Sequence, residues 1–219
     1  MWLGSYLTTS ITTSKTAATK KCTKKCQHSK PDTAQLKRTR IHPNYLGGGE
    51  TEWGERYIAR QYTRPDSSVL EFGGGAGSVS VTVSQILHQP QNHVVIQPRE
   101  PGAMFGGLDQ LQKNRKACGG AFTVVGRFLK AGDHTLLQSI PSTGKFDTII
   151  ADCEGCLVEE FQKNPQLFSS VTQIQVERDD IHLGKSYDDL FTNVLGMTLV
   201  ESGKTLGCDG GCDTEVWER

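Results

Sequence analysis

From residue 52 onward, short apolar runs alternate with longer runs of mixed character. Residues 69–72, 93–97, 122–125, 146–151 and 171–177 are short apolar-rich stretches with the β-branched content of buried strands. The spacing of Leu108, Leu111 and Cys118 and of Leu190, Phe191, Val194 and Leu195 puts apolar side chains on one face of a helix. Residues 52–61 and 157–168 also read as helical, the second as far as Pro165, and Gly119-Gly120 ends the element before it. Residues 78–87 fit both templates. Val79, Val81 and Val83 alternate with Ser and Thr, but Val79, Val83, Ile86 and Leu87 also share a helical face. The preceding strand and glycine turn favour a helix here. Residues 198–201 and 214–219 read as two strands joined by a Gly- and Cys-rich loop.

Strands that alternate with helices predict an α/β fold, a mostly parallel sheet with helices on both faces. The last two strands, with no helix between them, predict an antiparallel pair at the C-terminal edge. In such sheets ligands bind beyond the carboxyl ends of the strands, where the strand order reverses. The candidate chemistry falls at those ends.

The first 40 residues break this pattern. Residues 1–31 carry six Lys, many Ser and Thr, and no Asp or Glu. Such a segment buries little apolar surface and reads as a disordered basic tail. Its hydroxyl-rich, acid-poor composition also suits an organelle transit peptide, although Arg is absent before Arg38. The division predicted is a tail over 1–40 and one domain over 41–219. The chain holds 24 Lys+Arg and 24 Asp+Glu, so no global charge recruits nucleic acid or membrane. It has no apolar run of about 18 residues that would span a bilayer. The expected location is cytoplasmic, or an organelle if the tail is a transit segment.

Residues 69–78, Val-Leu-Glu-Phe-Gly-Gly-Gly-Ala-Gly-Ser, enter a glycine turn directly from a strand. A phosphate-gripping loop would end in Gly-Lys-Ser/Thr, and no Lys lies between Lys37 and Lys113. The dinucleotide spacing Gly-x-Gly-x-x-Gly fails, because Ser78 or Ser80 takes its last position. An acidic residue followed by alternating glycines does fit: Glu71, Gly73, Gly75 and Gly77. That turn suits S-adenosylmethionine, whose amino-acid end has an ammonium for Glu71 and a carboxylate for the following helix N-terminus. A dinucleotide turn and a turn serving only chain reversal are the alternatives. The candidate cofactor contacts are Glu71, Phe72, Gly73, Gly74, Gly75, Gly77 and Ser78.

The chain resembles the FkbM-type class I S-adenosylmethionine-dependent methyltransferases, over roughly residues 50–219. The glycine motif and residues 146–155, Phe-Asp-Thr-Ile-Ile-Ala-Asp-Cys-Glu-Gly, carry the resemblance, with Pro98, Leu111 and Asn114 in supporting positions. It implies a Rossmann-like class I methyltransferase fold and methylation of oxygen, usually a hydroxyl of a sugar or glycosylated product. The family's second strand tends to end in an acidic residue that binds the ribose diol. Gln97 stands there in this chain, and it offers one acceptor and one donor group without charge. Glu100 is a substitute within reach along the chain.

Asp152 and Glu154 follow the apolar run Ile149-Ile150-Ala151. If extended geometry continues they share one side, with Cys153 opposite. A carboxylate beside the cofactor cleft can orient or deprotonate an acceptor hydroxyl, and a positioned base contributes about 10²–10⁴-fold. Both are therefore candidate catalytic residues, although Glu154 could instead be an acid at a helix start. Glu177, Arg178, Asp179, Asp180 and His182 form a charged cluster after the fifth strand, readable as acceptor contacts or as a solvated loop. No spacing demands a metal ion.

Six of the seven cysteines fall in close pairs: Cys22/Cys26, Cys153/Cys156 and Cys208/Cys212; Cys118 is alone. Without a secretion signal, structural disulfides are not expected. The last two pairs read as ordinary buried thiols, with a zinc site or a disulfide or redox role as alternatives. The acceptor reading is a sugar or glycoconjugate hydroxyl. Alternatives are a small metabolite, an RNA ribose, or a binding protein of the same fold that has lost catalysis; oligomeric state is unreadable.

Overall fold

The computed structural model describes residues 45–46, 52–99, 107–178, 187–204 and 213–219. The 1–40 tail, Cys22, Cys26, Glu100, Asp179, Asp180, His182, Cys208 and Cys212 lie outside them. Seven strands form one sheet: β1 (Val69–Phe72), β2 (His93–Ile96), β3 (Thr123–Val125), β4 (Thr148–Ala151), β5 (Gln173–Glu177), β6 (Thr198–Lys204) and β7 (Asp213–Glu218). Their order is β3-β2-β1-β4-β5-β7-β6. The first five are mutually parallel, and β7 runs antiparallel to both β5 and β6. The predicted α/β architecture with an antiparallel C-terminal pair is therefore present.

Alternation along β1 divides the interior. Leu70 and Phe72 join Val94, Ile96, Ile149, Ile174, Val176 and Trp217 on one face, in one apolar cluster with Phe168 and Phe191. Helix α5 (Leu157–Lys163), a 3-10 turn over Pro165–Phe168 and a π-helical turn over Leu190–Val194 accompany that face. Val69 and Ile150 face the other way and meet Ala59, Val79, Val83 and Leu87. Those come from α1 (Trp53–Tyr62) and α2 (Ser78–Ile86) with the residue that ends it. Val81, Val95, Leu111 and Phe122 extend this second face toward α3 (Gly107–Ala117). Helices thus cover both faces.

The ambiguous segment 78–87 is helical. Gly77 adopts φ 92° at its start, and residues 78–83 are all buried. A helix enclosed on all sides over its first six residues shows no clean amphipathic stripe there, which is why its Ser/Val/Thr alternation imitated a strand. A fifth helix, α4 (His134–Gln138), went unread, since five residues carry too little periodicity. The segment 190–195 closes with a bond from Leu195 N–H to Leu190 C=O, one residue wider than an α-helix.

Three strand ends finish in one row, because Phe72 is in register with both Ile96 and Ala151. The next residues continue that row: Gly73 N–H donates to Ile96 C=O, Asp152 N–H to Phe72 C=O, and Gln97 N–H to Val125 C=O, each at 3.0 Å. Gly73, Gln97 and Asp152 are thereby brought to one edge. Strand order reverses between β1 and β4, so this edge is the topological switch point.

Leu111 is fully buried under the glycine turn. Leu111→Ala is expected to cost about 2–5 kcal/mol in urea unfolding, and the volume-conserving Leu111→Met under about 1.5 kcal/mol.

Candidate functional site

The glycine turn crosses β4 at very short range. Gly73 has φ 84°, and a Cβ there would lie 1.5 Å from the carbonyl oxygen of Asp152. At Gly77, with φ 92°, a Cβ would lie 2.7 Å from a Leu111 methyl. Both positions combine a left-handed backbone with no room for a side chain, so glycine is required at each. Asn114 braces the turn from α3, donating from Nδ2 to Ala76 C=O at 2.8 Å and accepting at Oδ1 from Leu46 N–H at 2.6 Å. Pro98, Leu111 and Asn114 therefore line or support the site, which gives a physical reason for the positions singled out in the sequence.

Glu71 sits below the turn. Its side chain is buried, with Oε1 accepting from the Ser80 hydroxyl at 2.6 Å and Oε2 paired with His93 Nε2 at 2.8 Å. It ties β1 to α2 and β2. Gln97 lies on the other side of the turn: its Oε1 accepts from Gly75 N–H at 2.7 Å, and its Nε2 donates to Pro98 C=O at 3.2 Å. The Ser78 hydroxyl donates to Glu52, whose carboxyl is pushed up chiefly by burial, with the Ser78 bond opposing.

A cleft of about 400 Å³ opens over this edge, lined by Phe72, Gly73, Gly75, Gln97, Pro98, Asp152, Cys153, Glu154, Cys156, Glu160 and Phe128 among others. The structure thus brings together Phe72, Gly73, Gly75, Gln97, Asp152 and Glu154. Gly74, Gly77, Ser78 and Glu71 contribute behind or beneath the wall. Gly74 packs over Val95 and Leu111.

Extended geometry does not continue past Ala151. The strand ends there, and Glu154 and Gly155 take φ 53° and 79°. The chain turns, and Cys153 faces the cleft along with Asp152 and Glu154 rather than opposite them. A second correction concerns the cysteines. Cys153 and Cys156 are bonded to each other as a disulfide, where free thiols were expected, so neither sulfur is free for zinc. The three-residue separation and the turn bring the two side chains together. Among the described residues, no group of three or more His, Cys, Asp or Glu side chains is arranged to hold a metal.

Three residues of the site escaped sequence reading. Phe128, 64% exposed, presents an aromatic side chain at the cleft rim after β3. Glu160, in the first turn of α5, is buried against the cleft, and burial pushes its carboxyl up despite Lys163 at 3.3 Å. Its place within an ordinary helical run gave no signal. Glu55, on α1, faces a small cavity shared with Glu71, Asp152, Gln175 and Glu177. Burial first, and the Glu177 carboxylate second, push Glu55 up to about 8. Among the described residues, its Oε2 and the Gln175 Oε1 have no hydrogen-bond partner. Glu55 falls on the buried stripe of α1, where sequence pattern alone reads a solvated acid.

No protein-family profile and no curated protein sequence matches the chain. Solved structures do match. The precorrin-6y C5,15-methyltransferase from Geobacter metallireducens aligns over 82% of this chain and 98% of its own, at TM-score 0.55 and 16% identity. An O-methyltransferase of tomaymycin synthesis from Streptomyces achromogenes, solved with S-adenosylmethionine, aligns over 88% and 92%, at TM-score 0.53 and 18% identity. The ribosomal protein L11 methylase from Lactobacillus delbrueckii subsp. bulgaricus aligns over 83% and 84%, at TM-score 0.52 and 14% identity. The chain has the Rossmann-like fold of class I methyltransferases.

Two expectations follow from this geometry. Gly73→Ala should lower stability by at least about 2 kcal/mol in urea unfolding, since it adds backbone strain to a clash with β4. A Glu with a raised folded-state value binds its proton more tightly folded than unfolded, so its stabilisation is lost as pH rises from about 4.5 to about 8. The melting temperature of the protein should therefore fall across that window relative to Glu55→Gln. A constant difference between the two proteins would contradict the buried, uncompensated placement of Glu55.

Proposed function

We propose that this protein is an S-adenosylmethionine-dependent O-methyltransferase whose acceptor is a hydroxyl of a sugar or glycoconjugate. One observation carries the choice of cofactor. Every charged side chain among the described residues that line the cleft is acidic: Asp152, Glu154 and Glu160. A pyrophosphate would meet these carboxylates, whereas a sulfonium cation is complemented by them. The glycine cradle fits as well, since Gly73 and Gly75 present bare backbone to the cleft. Gly73 to Ser78 and the N-terminus of α2 would hold the amino-acid end, Gln97 the ribose, and Phe128 offers a ring for stacking. Glu71 acts indirectly, by holding the turn in place.

The bound donor supplies an electrophilic methyl group on a positively charged sulfur. The chain's part is to align the acceptor oxygen and take its proton. Asp152 and Glu154 stand at the cleft wall at the end of β4, where either can accept a hydrogen bond from an acceptor hydroxyl. Alignment against a preformed wall removes orientational freedom before reaction. The resemblance to FkbM-type enzymes points the acceptor toward a carbohydrate. A second reading is a ligand-binding protein of the same fold without turnover. It is favoured by Gln97, whose amide is committed to the turn and lacks the charge of a diol-binding carboxylate.

Among the described residues no helix is long and apolar enough to cross a membrane. S-adenosylmethionine at 100 times its dissociation constant should stabilise the full-length protein by about 2.7 kcal/mol, with NAD giving no shift. Stabilisation by NAD alone would reverse the cofactor assignment. With a hydroxylated acceptor in hand, Asp152→Asn or Glu154→Gln should lower kcat by about 10²-fold or more while donor affinity stays within a few fold. Donor binding without turnover on a panel of glycosides, metabolites and RNA would favour the binding-protein reading.

A further inference from the structure

The Cys153–Cys156 disulfide is unused by the mechanism above, yet both residues line the cleft beside Asp152 and Glu154. The bond closes over only Glu154 and Gly155, and Cys156 N–H donates to Cys153 C=O at 3.2 Å across the same turn. Glu154 holds φ 53°, a conformation that a non-glycine residue keeps only where its surroundings over-determine it. The disulfide is the covalent constraint that spans it. A bond enclosing so short a loop removes little entropy from the unfolded chain, so its main effect is on local shape. Both cysteines are half-buried on an open cleft, within reach of a dissolved thiolate.

We propose that Cys153–Cys156 is a thiol–disulfide exchange site for a low-molecular-weight thiol, and that its state sets the shape of the cleft wall carrying Asp152 and Glu154. Attack by one thiolate breaks the S–S bond, forms a mixed disulfide with one cysteine and releases the other as a thiolate, which takes a proton. A second thiol resolves the mixed disulfide and frees the remaining cysteine. Two small thiols are oxidised to one disulfide, and the protein pair gains two electrons and two protons. With the bond open, Glu154 is free to leave the left-handed region, and its carboxylate and the adjoining wall lose their fixed position. The consequence for ligand affinity rests on the methyl-donor reading; the exchange reaction does not.

The experiment equilibrates the full-length protein in mixtures of reduced and oxidised glutathione, then quenches with acid, alkylates and digests with trypsin. The segment 146–163 carries both cysteines and no other. It is expected to pass from no label to two labels together, with far-UV circular dichroism unchanged. Amide hydrogen exchange over 152–156 should be faster in the reduced form, and S-adenosylhomocysteine should bind it at least about threefold more weakly by calorimetry. Cys153→Ser/Cys156→Ser should match the reduced form and ignore glutathione. A segment that stays unlabelled in excess reduced glutathione overturns the proposal. So does a pair that opens with no change in amide exchange. Should neither redox form bind S-adenosylhomocysteine, the methyl-donor reading falls, while labelling and amide exchange still decide the exchange site.

Discussion

A carboxyl group enclosed by protein is costly unless its oxygens are satisfied, and removing a partner from such a group destabilises by about 3–5 kcal/mol. Glu71 meets that condition with the Ser80 hydroxyl on one oxygen and His93 on the other. Those partners belong to α2 and β2, so one side chain joins the central strand to the helix after the turn and to the neighbouring strand. The glycine turn between Glu71 and Ser80 is consequently held at both ends. Its N–H groups and the close crossing over Asp152 follow from that anchoring, together with the missing side chain at Gly73.

On this frame the cleft is built from backbone ends more than from long side chains. Gly73, Gln97 and Asp152 meet because three parallel strands stop in register. The polar wall is acidic, and its hydrogen-bonding capacity is divided between inward and outward tasks. Gln97 holds the turn, while Asp152, Glu154 and Glu160 face the space a ligand would take. On the other side of β1 and β4, burial and the Glu177 carboxylate raise the cost of charge on Glu55.

The disulfide turn adds a local constraint of a different kind. Cys153 and Cys156 also pack against the apolar core on one face of the sheet. What the bond restrains is the two-residue turn from which Glu154 projects.

The strand runs, the glycine spacing and the paired carboxylates were legible in the sequence because each depends on near neighbours in the chain. Apolar runs of strand length require enclosure wherever they lie, and alternating glycines after an acidic residue define a turn without reference to the rest of the molecule. The helix over Ser78–Ile86 was harder to read because burial of residues 78–83 on every side erases the periodicity that marks a helix. Tertiary structure alone decided that Glu71 would bond Ser80 and His93, that Gln97 would brace Gly75, and that Glu160, Glu55 and Phe128 would stand around the edge. Several of these depend on strand order and register, which bring Gln97 and Gly75, 22 positions apart, into contact. It also decided the state of the cysteines. The spacing of Cys153 and Cys156 permits thiols, a metal site or a disulfide, and the left-handed turn at Glu154 and Gly155 brings the sulfurs to bonding distance.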